Sequence, residues 1–184
     1  MKTLLSTFIL LQTVVCMYFI TDYANKLQIS LMGIEGEILS SYHLIWRLSN
    51  IFSSLIPIIV FAFLYITIEI SMNTILDENI SRRDLYNILG IAFTPMLCHE
   101  YFYYLNLVTF CNTSKIKSVE DLINMHYFFN LTSQDLNILN TFCWVSIYLI
   151  VILYFFFKGK SLFKTFLSVI LPSAITFIIY KIIS

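Results

Sequence analysis

The sequence predicts an all-α integral membrane protein, a bundle of five transmembrane helices with short amphipathic helices in the first and third connections. Three observations carry this. Of 184 residues, 59% are hydrophobic and 12% charged, with a mean hydropathy of +0.82, whereas a soluble domain is nearer half apolar and a quarter charged. A membrane span takes about 20 apolar residues, so five spans consume roughly 100 and leave little for a soluble domain. Finally, no internal repeat or low-complexity tract divides the chain, so residues 1–184 read as a single membrane domain.

The first span covers about residues 3–20, where Lys2 precedes an apolar run. No small-x-small cleavage site follows it, so it reads as a retained helix rather than a removed signal. Gln12 falls near its centre, where an amide needs a partner from another helix. In the polar connection after it, Ile34, Ile38, Tyr42 and Ile45 recur at i, i+4, i+8 and i+11. That period predicts a one-faced helix lying on the membrane surface, and Trp46-Arg47 suits the interface. A helix packed on other helices outside the bilayer fits the same pattern.

The second span covers about 51–70 and contains Pro57, tolerable where neighbours satisfy the freed carbonyl. Glu69 at its end can snorkel to the interface. Ser81 with Asp84 three residues on is a capping box that starts the third helix, which runs as a span over about 86–111. The loop after it holds a second box at Ser118 to Asp121, ahead of a short helix with Leu122, Ile123, His126 and Phe129. Thr132 with Asp135 repeats the signal before the fourth span, about 138–157. Gly159 is the predicted turn of a tight basic loop over 158–164, and the fifth span, about 165–183, is broken by Pro172. The side holding the N-terminus carries six Lys and Arg, five of them in two short loops, against five on the other side. The positive-inside rule weights short loops, which predicts a cytoplasmic N-terminus and an outside C-terminus.

Chemistry concentrates in residues 85–111, where His99 and Glu100 sit in an otherwise apolar run. Ionisable groups at membrane depth are expensive and must face protein or water. His99, Tyr103 and Asn106 fall at i, i+4 and i+7, one stripe of a helix. Together with Gln12, Glu100 and Ser173 they form a predicted polar cluster near mid-membrane. Two readings stay open: a proton or ion pathway carried by His99 and Glu100, or a clasp that locks the helices together. Pro95 frees the carbonyl of Ile91 and predicts a bend just before His99.

Enzyme signatures are missing. His99-Glu100 begins an HExxH pattern, but Tyr103 occupies the second histidine position. There is no GxSxG and no phosphate-binding glycine loop. The four cysteines form no zinc spacing, so no metal or cofactor is expected. A net charge of zero, with no basic run longer than Arg82-Arg83, excludes an electrostatic nucleic-acid binder.

Two segments resemble the Yip (Ypt-interacting protein) family of small five-span membrane proteins. Residues 81–97, SRRDLYNILGIAFTPML, are similar to the family's entry into a central span, with a polar helix start, a glycine and a proline further in. Residues 135–175 are similar to its last two spans, with Trp144 in the fourth helix and a tight basic loop between the helices. Together they cover about a third of the chain. Eukaryotic members carry a cytosolic region before the first span and contact small GTPases. Only Met1 and Lys2 precede the first span here, so that role is not expected. The bacterial branch implies an accessory membrane subunit, in some cases beside ABC exporters that expel or protect against antimicrobial peptides. The expectation is therefore a non-enzymatic accessory or immunity-type subunit of the cell membrane, with the lipid bilayer and another membrane protein as partners.

Overall fold

The computed structural model of the chain describes residues 2–32, 37–76, 80–111, 129 and 131–183. The protein is all-helical. The first two helices are far longer than a bilayer requires. α1 is Lys2–Met32, 31 residues, and α2 is Glu37–Leu76, 40 residues, about 46 Å and 60 Å at 1.5 Å per residue. The expected separate surface helix is therefore corrected: residues 37–50 run into the apolar stretch without a break. No Gly or Pro stands between Glu37 and Ile51 or between Thr21 and Met32 to stop either helix. Ile34 lies outside the described residues, as do residues 112–128 with the Ser118–Asp121 box and most of the short helix predicted there.

The predicted third span divides in two. α3 is Arg82–Ala92 and α4 is Thr94–Cys111, with Phe93 as the joint. Ser81 caps α3 as the sequence suggests, its hydroxyl accepting from the Asp84 N–H at 3.4 Å. At the joint Pro95 cannot donate to the Ile91 carbonyl. The Thr94 hydroxyl takes that carbonyl at 2.6 Å instead, and the Phe93 N–H also turns toward Gly90 and Ile91. Pro57 and Pro172, by contrast, sit inside continuous helices.

α5, Ser133–Phe157, starts on the Thr132–Asp135 box. Asp135 accepts from the Thr132 N–H at 2.8 Å, and the Thr132 hydroxyl accepts from the Asp135 N–H at 3.3 Å. Backbone bonds from Gly159 N–H to the Phe156 carbonyl and from Lys160 N–H to the Phe155 carbonyl close α5. With Gly159 at φ +82° this is a Schellman turn, a backbone region that favours glycine. α6 follows as Leu162–Ile183.

Three helices among the described residues are long and apolar enough to cross a membrane: Lys2–Ile29 in α1, Tyr42–Ile75 in α2, and α5. Only 33%, 28% and 22% of their most apolar stretches is buried. Leu4, Phe8, Phe52, Ile59, Ile66, Phe142 and Leu149 all point outward. Ser6, Thr13, Asn50, Asn106, Thr165 and Ser168 are instead almost wholly buried. α4 is not among the three, since His99, Glu100 and Asn106 interrupt its apolar surface.

The contacts separate into two compact units. Unit 1 comprises Met1–Leu10, Ile58–Pro95 and Trp144–Ser184. Its centre is a chain of edge-on rings, Tyr86 to Phe61 at 5.5 Å, Phe61 to Phe93 at 5.6 Å and Phe93 to Trp144 at 6.3 Å. Beside them α1 and α3 touch through small residues. Gly90 lies so close to Ser6 that an added Cβ would come within 3.0 Å of the Ser6 Cα. The Ser6 hydroxyl donates to the Asn87 carbonyl at 2.8 Å. Arg82 pairs with Glu69 at 2.7 Å and Lys158 with Asp84 at 2.5 Å. The Asp84 hydrogen bond holds the Lys158 ammonium above the usual lysine range.

Unit 2 comprises Leu11–Pro57 and Met96–Cys143. Cys16, Ile20 and Leu107 form its apolar centre, with Met17, Tyr23, Tyr103 and Tyr104 packed against them.

Candidate functional site

Unit 2 holds most of the residues that the sequence singles out. His99 and Glu100 are neighbours in sequence, and a helix turns about 100° between them, so they meet different partners. The half-buried His99 brings Nε2 within 3.3 Å of the Leu136 carbonyl at the start of α5. Glu100 turns inward and is only 7% exposed. One carboxyl oxygen, Oε2, is buried and has no hydrogen-bond partner among the described residues. A buried carboxyl group left unpartnered costs free energy, which makes Glu100 the least reconciled polar group in α4.

Gln12 has the interhelical partner that an amide in an apolar helix requires. The Tyr101 hydroxyl donates to its Oε1 at 2.6 Å. The periodic stripe did not point to Tyr101, which is 43% exposed at the edge of this surface. Tyr103 leans on the Cys16, Ile20 and Leu107 centre. Asn106 is fully buried and donates to the Phe102 carbonyl one turn back at 2.6 Å. Ser173 belongs to unit 1, and its side chain lies outside the described residues. Of the prolines, Pro95 stands at the start of α4, and Pro57 and Pro172 mark no break.

A second polar group in unit 2 was not anticipated from sequence. Asn50 is 1% exposed and joins α2 to α1. Its Oδ1 accepts from Asn25 Nδ2 at 2.8 Å, and its Nδ2 donates to Asp22 Oδ1 at 3.0 Å. Asp22 also pairs with Lys26 at 2.7 Å, and the Lys26 ammonium stands 5.7 Å from the centre of the Trp46 ring. The i, i+4 spacing of Asp22 and Lys26 was the one available clue. The role of Asn50 needed knowledge of which helix lay opposite.

No cluster of three His, Cys, Asp or Glu side chains suited to a metal occurs among the described residues. Comparison with known protein families, with characterised proteins and with solved structures finds no match.

Proposed function

We propose that this chain is a non-enzymatic multi-pass protein of the cell membrane, an accessory or immunity-type subunit working beside a membrane partner such as an ABC exporter. Five crossings are inferred, with the α3 and α4 pair making the third and the N-terminus cytoplasmic. The resemblance of residues 81–97 and 135–175 to bacterial Yip-type proteins supports the accessory role. The observation that carries the membrane reading is the apolar outer surface, with Leu, Ile and Phe exposed along the long helices while Ser, Thr, Asn and Glu side chains are buried beside an apolar core. In water such apolar surfaces would drive aggregation. In lipid the same surfaces are solvated, and helices associate through small residues and interhelical hydrogen bonds. Ser6 against Gly90 and Tyr101 to Gln12 are contacts of that kind.

Affinity purification in mild detergent tests the role. A membrane partner should co-purify in a fixed ratio. A solitary monomer under conditions that preserve membrane complexes would contradict the accessory reading.

The unpartnered oxygen of Glu100 supports a second reading, a proton or ion pathway through unit 2. Under that reading, Glu100→Gln and His99→Gln together abolish a proton or ion flux in reconstituted vesicles and leave the amount of folded protein unchanged. If the double variant only lowers the amount of folded protein, the two residues hold helices together and the pathway reading fails.

A further inference from the structure

Within unit 2 the last turns of α1 and the first turns of α2 run side by side as a two-helix arm, tied by the bonds of Asn50 to Asp22 and Asn25. Its sides are sorted. Toward α1, α2 turns the buried Asn50, with Tyr42, Trp46 and Ser49 lining a hollow shared with Asn25 and Gln28. Away from α1 stand Leu44, 64% exposed, and Leu48, 48% exposed. We propose that this outward leucine face is bedded in the acyl chains of the bilayer, with Lys26 on the water side of the arm. The proposal rests on the membrane reading above.

Three observations support it. The first is the sorting itself. An arm surrounded by water would turn its leucines inward and leave its amides outside. Here Asn50 is inside, bonded to Asp22 and Asn25, and the two leucines are outside. The second is continuity. At about 100° per residue, Leu44, Leu48, Ile51, Phe52 and Leu55 share one side of α2, and all five are exposed. The face that crosses the bilayer as Ile51, Phe52 and Leu55 therefore extends to Leu44 with no polar residue in it, and the sequence turns polar only at Ser40-Ser41. The third is length. The apolar stretch Tyr42–Ile75 has 34 residues, about 50 Å of helix against a hydrocarbon core of about 30 Å. A helix longer than the core tilts or thickens the bilayer around it, and either response keeps Leu44 and Leu48 in lipid.

The other side of the arm suits water. Lys26 stands 5.7 Å from the centre of the Trp46 ring, and Trp46 lies about 160° around α2 from Leu44. The Lys26 side chain is 59% exposed and pairs with Asp22. The arm is thus amphipathic in cross-section, the form in which helices lie against a membrane surface. The face to which the sequence points through Tyr42 and Ile45 borders the hollow beside α1. The leucine face is a different one, and only the packing of α2 on α1 distinguishes them.

Fluorescence quenching in vesicles tests this. Bimane is attached singly at Leu44→Cys, Leu48→Cys, Phe52→Cys and Lys26→Cys in a cysteine-depleted full chain, all four being exposed positions that accept a label. Quenching by phospholipids with brominated acyl chains is compared with quenching by aqueous iodide. Labels at Leu44 and Leu48 should be quenched by brominated lipid at least half as strongly as the label at Phe52, and should be shielded from iodide. The label at Lys26 should show the reverse. Iodide quenching at Leu44 and Leu48 equal to that at Lys26 overturns the proposal, because the arm then stands in water. Shielding of both labels from both quenchers also overturns it, and marks a partner subunit or a second copy of the chain on this face. The Phe52 label separates the two failures. Iodide quenching at Phe52 refutes the membrane reading and the bedded arm with it, and brominated-lipid quenching at Phe52 without quenching at Leu44 and Leu48 refutes the bedded arm alone.

Discussion

The two units bury polar groups for different ends. In unit 1 the buried polar side chains are neutral and short: Ser6, Ser71, Asn87, Thr165 and Ser168. Ser6 stands at a close helix contact against Gly90, the hydroxyls of Ser71, Thr165 and Ser168 are buried with no hydrogen-bond partner among the described residues, and a core of edge-on rings accompanies them. Charges in this unit stay at its surface, in the Arg82–Glu69 and Lys158–Asp84 pairs. Unit 2 instead buries a carboxyl group at Glu100, links α1 to α2 through Asn50, and opens a cavity beside Trp46. Small neutral groups let backbones approach and ask for little in return. A buried carboxyl oxygen without a partner costs more than a buried hydroxyl, because the group must either ionise away from a counter-charge or hold its proton.

Substitutions in the two units should therefore differ in what they damage. The largest structural effect is expected from Phe93→Ala, which empties the space between Phe61 and Trp144 and removes the residue at the α3–α4 joint. A loss of about 3 to 4 kcal/mol is expected from the size of the cavity created, read as a fall in the thermal midpoint in detergent. Gly90→Val should follow. Its side chain has no room against the Ser6 backbone, and overpacking of this kind costs about 1–3 kcal/mol. Gly90→Ala, being smaller, should do less.

In unit 2, Asn50→Leu keeps the number and branching of side-chain heavy atoms but strands Asn25 and Asp22. A loss of about 2 kcal/mol follows from two missing hydrogen bonds, read in the same thermal-midpoint assay. An unchanged midpoint in Asn50→Leu would mean that the Asn50 bonds do not help to hold α1 against α2.

The smallest effect belongs to the Lys158–Asp84 pair, whose side chains are 43% and 38% exposed. Exposed pairs contribute about 0–1 kcal/mol, so Lys158→Ala should barely move the midpoint. Its sign with pH is nonetheless fixed. Asp84 raises the ammonium's proton affinity in the folded state. The contribution is complete below the ordinary lysine range and fades as pH rises through the higher folded-state value. A wild-type midpoint that approaches that of Lys158→Ala only in strong alkali would confirm it.

What could be read from the sequence was local. Ser81 with Asp84, Thr132 with Asp135 and Gly159 each bind backbone groups within a few residues, so spacing alone located these helix ends. The all-helical class followed from the long apolar runs. The continuity of residues 37–50 with α2 was obscured because polar composition suggested a boundary that the backbone does not make. The pairing of Gln12 with Tyr101 and the opposite environments of His99 and Glu100 depend on which helices stand alongside α4. No periodicity within a single helix carries that information. Asn50 was missed for the same reason.

Spin labels placed at single sites in a cysteine-depleted chain reconstituted into vesicles test the central claim most directly. Labels at Ile59 and Leu149, both outward-facing, should be open to oxygen and shielded from a water-soluble nickel complex, as lipid-facing sites are. A label at Lys160, in the loop between α5 and α6, should show the reverse. Nickel accessibility at Ile59 and Leu149 equal to that at Lys160 would mean that these apolar faces meet water or another surface, and it would contradict the membrane account outright.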